Sequence, residues 1–446
     1  MSQAVGVDDH ALGRIPESER YTWLSVAVQR FGQMSALPQF LLGATIGFGM
    51  KFWDAFWAFT LGAVILEVVT IFVGVIGVRE GMSTSMIARW TGFGRGGSSL
   101  IGLVIGISLV GWFGIQSQIS AQGLTRLVGV LPEWGWSLVF GLGVTAVVVF
   151  GFKSMAWTAY LTVPLFLALV SWSITSALSG HSLGALVGSS APGPHLGLLQ
   201  GAALVSGSFI IGAVVTPDMT RFNRTTGDVV KQTVVGITLG EYVIGLAGVL
   251  LAHVARTDDI IGIVTSSVGW VGVLLILFGT FKINDWNLYS AGLGLVNFTG
   301  TVFGKSIPRG LATLIVGVAG SLLAASGVLT QFTDFLLLLG VAFPPVAGIM
   351  IAEYFVVRSW RSELDDTRAT GQAPGTAPSW VPASLVIWLV SALVGKYATF
   401  GLGSINALVA AFTLYVIAGK LNLVRGVGTA GTESLTASAA QAAESR

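Results

Sequence analysis

Residues 282–290 read Lys-Ile-Asn-Asp-Trp-Asn-Leu-Tyr-Ser, placing two charges and two amides in an otherwise apolar stretch. On a helix, Lys282 and Asp285 lie about 60° apart and can form an ion pair, whereas Asn284 points about 160° away from Lys282. Such a helix presents either a neutralised structural pair or two working faces, one charged and one hydrogen-bonding. A second constellation is Trp112-Phe113-Gly114-Ile115-Gln116, in which Trp112 and Gln116 share a face. An aromatic plane beside an amide suits stacking on, and hydrogen bonding to, a small planar heterocycle. The same two residues also suit a packed tryptophan with a glutamine bonded to a neighbouring helix. Little else could break bonds. There is no cysteine, and His10, His181, His195 and His253 are not spaced as metal ligands. No nucleophile–base arrangement is visible, so a membrane-embedded enzyme or sensor is a remote alternative, and no cofactor or metal is expected.

The elements that must hold these residues follow from composition. Of 446 residues, 53% are apolar, and 23 basic plus 21 acidic residues make up only 10%, against about 25% in an ordinary soluble domain. That excludes a water-covered globule of this size, and the apolar content excludes disorder. Sixty glycines suit helices that approach closely through small residues. A net charge of +2 offers no basic patch for nucleic acid, and the expected partner is the lipid bilayer. The chain reads as an all-α integral membrane protein.

Taking about 20 apolar residues per crossing, twelve spans can be marked. They lie near 25–49, 54–78, 98–125, 137–151, 157–179, 198–216, 233–255, 268–296, 309–326, 333–357, 381–399 and 404–424. Residues 1–24 form a polar tail unlike a cleavable signal peptide, 358–380 a charged loop, and 425–446 a second tail. Placing the N-terminus inside gives inside segments with seventeen Lys and Arg, Lys153 among them, against four on outside loops (Lys51, Arg126, Arg256, Lys396). This predicts a multi-pass protein of the cytoplasmic membrane with both termini in the cytoplasm.

Two spans look interrupted at corresponding places. The first carries Gly32-Gln33-Met34-Ser35-Ala36-Leu37-Pro38-Gln39; the sixth carries Ser206-Gly207-Ser208-Phe209-Ile210-Ile211-Gly212, then Thr216-Pro217-Asp218. Each opens a set of five spans, 25–179 and 198–357, and paired interruptions of this kind point to a midplane binding site between inverted repeats. Glu67, Glu241 and Glu353 are expected to make interhelical bonds or to lie near helix ends, with a proton relay as the alternative. Arg30 is expected to snorkel or to pair near the cytosolic face.

At these residues the sequence resembles the nucleobase–cation symporter-1 family, particularly its cytosine-permease branch. The resemblance rests on Gly111-Trp112-Phe113-Gly114, Gly207-Ser208-Phe209 and Asp218 with Arg221-Phe222. It continues in Asn284-Asp285, Leu288-Tyr289-Ser290-Ala291-Gly292-Leu293-Gly294, Asn297-Phe298-Thr299-Gly300, Pro344-Pro345-Val346 and Ile351-Ala352-Glu353-Tyr354. It runs from about residue 20 to about 424. It implies a LeuT-type fold of two inverted five-helix repeats plus two C-terminal helices (381–424), and import of a nucleobase such as cytosine, a purine or a related heterocycle by alternating access. By resemblance, Trp112 and Phe209 sandwich the substrate ring, Asn284 bonds the base, Gln116 matches a glutamine of hydantoin-type relatives, and Ser208 adds a polar contact.

The departures from the family pattern set two further expectations. Where sodium-coupled members carry two adjacent hydroxyl residues, this chain has Lys282 and Ile283, which give sodium no oxygen ligand. The Lys282 ammonium is expected to replace the ion, paired with Asp285 and bonding first-span carbonyls near Gly32 and Ser35. Transport is then proton-coupled or uncoupled. Leu109 and Ile211 stand where cytosine-type members have a glutamine and a serine, which leaves cytosine's polar edge without those partners. A hydantoin, amine or amino-acid-like solute is the alternative cargo.

Overall fold

The computed structural model describes residues 13–34, 37–149, 168, 171, 172, 174–176, 179–305 and 307–431. The first expected span is two helices, α1 (Trp23–Met34) and α2 (Leu37–Gly49). Next come α3 (Phe52–Glu80), α4 (Gly94–Leu127) and α5 (Glu133–Val149). The fifth expected span, 157–179, falls mostly outside the described residues, as does Lys153.

The second half opens with α6 (Leu198–Val214). Then α7 (Thr226–Leu239) runs through a π-helical turn (Gly240–Gly245) into α8 (Leu246–Ala255). It is followed by α9 (Val271–Val302), α10 (Arg309–Ala325), α11 (Phe332–Ala342) and α12 (Pro344–Ala352). A polar helix, α13 (Arg361–Arg368), and a strand, β1 (Thr376–Trp380), precede α14 (Pro382–Tyr397), α15 (Gly403–Lys420) and β2 (Val427–Gly431).

Among the described residues, five helical stretches are long and apolar enough to cross a membrane: Phe52–Glu80, Arg89–Leu127, Thr226–Ala255, Val328–Val357 and Gly403–Lys420. Helix α3 stops where Gly81, at φ 62°, donates its N–H to the Gly77 carbonyl, the left-handed ending that glycine adopts without strain. Helix α7 starts on a reciprocal cap. Thr225 accepts from the Asp228 N–H, and the Asp228 carboxylate accepts from the Thr225 N–H, both at 3.1 Å.

Glycine sets the helix spacing. A Cβ on Gly43 of α2 would sit 2.2 Å from the Gly245 carbonyl oxygen, and one on Gly294 of α9 would sit 2.6 Å from that of Gly102 on α4. These helices therefore meet backbone to backbone, which places polar side chains of one helix within reach of the next.

One end of the bundle carries the described ends of the chain. Arg14 inserts beside Glu80 at the end of α3 and also donates to the carbonyls of Leu364 and Gln372. Strand β1 pairs antiparallel with β2, Thr376 opposite Gly431 and Trp380 opposite Val427. It rests on the start of α4, where a Cβ on Gly96 would strike the Trp380 ring.

Candidate functional site

Helices α4 and α9 pack along each other, and their polar residues meet in the interior. Asn284 is fully buried and donates to the Phe113 carbonyl at 3.3 Å and to the Ser117 hydroxyl at 3.1 Å. Its own carbonyl oxygen accepts from Asn287 at 3.4 Å. The amide face expected of α9 is thus turned onto α4, and in this conformation it serves the helix contact. One turn before Ser117 lies Trp112, whose ring meets Phe335 at 5.4 Å and Phe332 at 6.2 Å in edge-on geometry. Gln116 is 1% exposed, and its Oε1 has no hydrogen-bond partner. Among the described residues nothing donates to it, and a buried amide oxygen left without a donor costs about 1–3 kcal/mol.

The sixth span meets expectation at Thr216-Pro217 and departs from it at Ser206–Gly212. Helix α6 runs unbroken through Ser206–Gly212, and the chain turns only at Val215–Thr216, ahead of Pro217. The glycines act in packing. A Cβ on Gly207 would lie 2.1 Å from the Leu336 carbonyl oxygen of α11, and one on Gly212 would strike the ring of Phe209. Small residues in an apolar helix let neighbours approach; the break falls where proline removes a donor. Ser208 bonds the Val205 carbonyl of its own helix at 2.7 Å. Phe209 and Trp112 make no ring contact with each other; the Phe209 ring instead lies 5.8 Å from the Arg30 guanidinium carbon.

Arg30 does not snorkel, and among the described residues it pairs with no acid. It is 1% exposed and donates to the Gly212 carbonyl at 3.2 Å and the Thr216 hydroxyl at 3.0 Å, leaving Nε without a partner. The carbonyls in the last turn of α6 have no partners within their own helix and carry its negative end, which a cation relieves. A side chain on Gly236 of α7 would collide with Arg30, so that glycine shapes its slot.

On the charged face of α9 the expected Lys282–Asp285 pair forms. Lys282 donates to both oxygens of the fully buried Asp285, at 3.1 and 3.4 Å. Among the described residues it makes no bond to the first span. Gly32 has open space where a side chain would be, and Ser35 lies outside the described residues. The physical reason is local: a carboxylate one turn away on the same helix neutralises the ammonium and is itself too buried to stand alone.

The three embedded acids each bond across helices, as expected. Glu67 of α3 accepts from Thr238 at 2.6 Å, and Glu353 accepts from Tyr415 of α15 at 3.0 Å. Glu241, in the π-helical turn, accepts a short hydrogen bond from Gln39 of α2, while its other oxygen has no partner. Sequence reading placed Gln39 in the interrupted stretch of the first span but gave it no partner. Its signal was an amide directly after Pro38 in an apolar run.

Comparison with known proteins bears on the family and the fold. The family described as permease for cytosine/purines, uracil, thiamine, allantoin matches residues 14–421. The chain belongs to this family, within the nucleobase–cation symporter-1 group. It is 29% identical over 363 residues to the cytosine permease of Escherichia coli (strain K12), covering 80% of this chain and 83% of that one. It is 25% identical over 431 residues to the hydantoin permease of Microbacterium maritypicum, covering 90% and 85%. Among solved structures, Mhp1 in an inward-facing conformation superposes with a TM-score of 0.77 at 19% identity, over 96% of this chain and 100% of that one. Mhp1 in a closed conformation with bromovinylhydantoin bound gives 0.69 at 21% identity, over 92% and 95%. The fold is LeuT-like, and the protein is a multi-pass secondary transporter of nucleobase type, not an enzyme.

Proposed function

We propose that this transporter imports a nucleobase such as cytosine or a purine, or a related planar heterocycle, by alternating access. The observation that carries the reading is the α4 face, where the Trp112 ring lies one turn from the buried, unpartnered Oε1 of Gln116. An aromatic plane and a waiting acceptor suit a flat ring with an N–H at its edge. In this reading Phe209 closes the other side of the ring, Ser208 and Asn284 exchange their present bonds for bonds to substrate, and the protein crosses the membrane twelve times as two inverted repeats plus α14 and α15. Both termini are cytoplasmic in this reading, which the distribution of basic residues supports.

Sodium is not the driving ion in this reading. By the resemblance Lys282 and Ile283 stand where sodium-coupled members carry two hydroxyl residues, and neither offers sodium an oxygen ligand. Transport is proton-coupled or uncoupled. A hydantoin is the second reading, supported by Gln116 and by the 90% of this chain that aligns with the hydantoin permease.

Uptake of radiolabelled cytosine, adenine, uracil and hydantoin into liposomes carrying the purified protein tests both readings. One of these rings should enter saturably and unmodified, without need of a sodium gradient. Trp112→Ala should abolish its binding; unchanged affinity would move the site off α4.

A further inference from the structure

The two halves of the first span meet on the π-helical turn of the α7–α8 helix. A Cβ on Gly240 would lie 2.3 Å from Cβ of Met34, the last residue of α1. On the other side, Gln39 of α2 bonds Glu241, and Gly43 of α2 touches the Gly245 carbonyl. Glu241 therefore sits at the joint between α1 and α2, inside a widened helical turn of the kind that recurs at functional sites.

The surroundings of this carboxyl are unusual for a membrane interior. Glu241 is fully buried; among the described residues one oxygen accepts from a neutral amide and the other has no hydrogen-bond partner. Helix α2 brings no charged residue. Helix α1 brings only Arg30, which is bonded to the end of α6. Helix α3 brings Glu67 at this depth, a like charge bonded to Thr238; its other charged residues, Asp54, Arg79 and Glu80, lie in its first and last turns. Farther along its own helix, His253 is bonded to Met50, Leu186 and Ser189. Among the described residues no cation compensates an ionised Glu241, and an uncompensated charge in this setting is costly. The geometry points to a group that binds a proton here and gives it up only when its surroundings change.

We propose that Glu241 is the proton-binding site that couples this transporter. One carboxyl oxygen takes a proton from water on one side of the membrane. The movement of α1 or α2 that withdraws Gln39 opens the carboxyl to water on the other side, where the proton leaves. No bond in the substrate is made or broken. This inference rests on the transport reading above and places the coupling role on Glu241 instead of Lys282.

The test uses the full chain in liposomes, with labelled cytosine and hydantoin as probes, no sodium, and an imposed proton gradient. The unaltered protein should accumulate one probe above equilibrium, and a protonophore should abolish the excess. Glu241→Gln should hold accumulation at the equilibrium level while retaining substrate exchange between equal pools, which also shows that it is folded. Glu67→Gln should retain gradient-driven accumulation. If Glu241→Gln misfolds, Glu241→Asp serves instead, and its accumulation should depend on pH differently from that of the unaltered protein. Gradient-driven accumulation by Glu241→Gln, an unaltered pH profile in Glu241→Asp, or exchange without any gradient dependence in the unaltered protein would overturn the proposal. If the unaltered protein neither binds nor exchanges any heterocycle, the transport reading itself falls, and this inference with it.

Discussion

Glu80 and Glu241 are both acids removed from solvent, yet their surroundings have little in common. Glu80, at the end of α3, accepts from Arg14 at 2.7 Å, Arg368 at 2.6 Å and Tyr354 at 2.5 Å, with Arg361 at 3.9 Å. Glu241, at mid-helix, has one amide. A carboxylate ringed by guanidinium groups ties four chain segments together: the N-terminal strap, α3, the end of the Val328–Val357 stretch and α13. A carboxyl facing one neutral donor is tied to almost nothing. Burial alone does not distinguish a structural acid from a working one; the inventory of partners does.

That contrast can be tested first at its strong end. Glu80→Ala leaves Arg14 buried without its acid, and removing one member of a buried ion pair costs about 3–5 kcal/mol. Thermal unfolding in detergent should show a large loss there and a much smaller one for Glu241→Gln; equal losses would erase the distinction. Next in size is Gly240→Ala, which drives a methyl into Met34. Overpacking of this kind costs about 1–3 kcal/mol, and substrate transport should fall further than stability does, because the joint between α1 and α2 is displaced. Tyr354→Phe removes one donor from Glu80 while the guanidinium groups stay, for about 0.5–1.5 kcal/mol in the same unfolding measurement.

The smallest effect lies at the rim of the Glu80 cluster, in Asp365. Slight burial acts to raise its carboxyl, but the hydrogen bonds and charges of Arg361 and Arg368 outweigh that and hold it below the ordinary value of 3.8. With a depressed folded value, the contribution is present above the ordinary aspartate range and lost as pH falls through the folded value. The carboxylate is 45% exposed, so solvent screening limits Asp365→Asn to about 0.2–1 kcal/mol. Melting curves of the two proteins should differ at neutral pH and converge in strong acid.

Much of this was legible before any coordinates. Lys282 and Asp285 pair because three residues on a helix bring an ammonium to a carboxylate. Trp112 and Gln116 share a face because four residues make about one turn. The cost of polar groups in lipid singled out Glu67, Glu241, Glu353 and Asn284. Other features carried no local signal. Gln39 and Glu241 are about two hundred residues apart, and nothing in Gly-Glu-Tyr-Val-Ile-Gly marks a π-helical turn. The glycines at 207 and 212 resemble a helix break in sequence, but their role is set by the facing carbonyl of Leu336 and by the Phe209 ring. Arg30 lacks an acid because its partner is the end of a helix, which a search for opposite charges does not find.

The pairing of β1 with β2 has a practical consequence for watching the protein move. The last described strand is fastened along Thr376–Trp380, and Arg95 near the start of α4 donates to the Gly431 carbonyl at 3.3 Å. A fluorophore attached at β2 is therefore a surveyor's mark on α4, not a label on a loose tail. With a second dye on the strap at Glu17, its distance reads the displacement between α4 and α3 during a transport cycle, with no label inside the membrane.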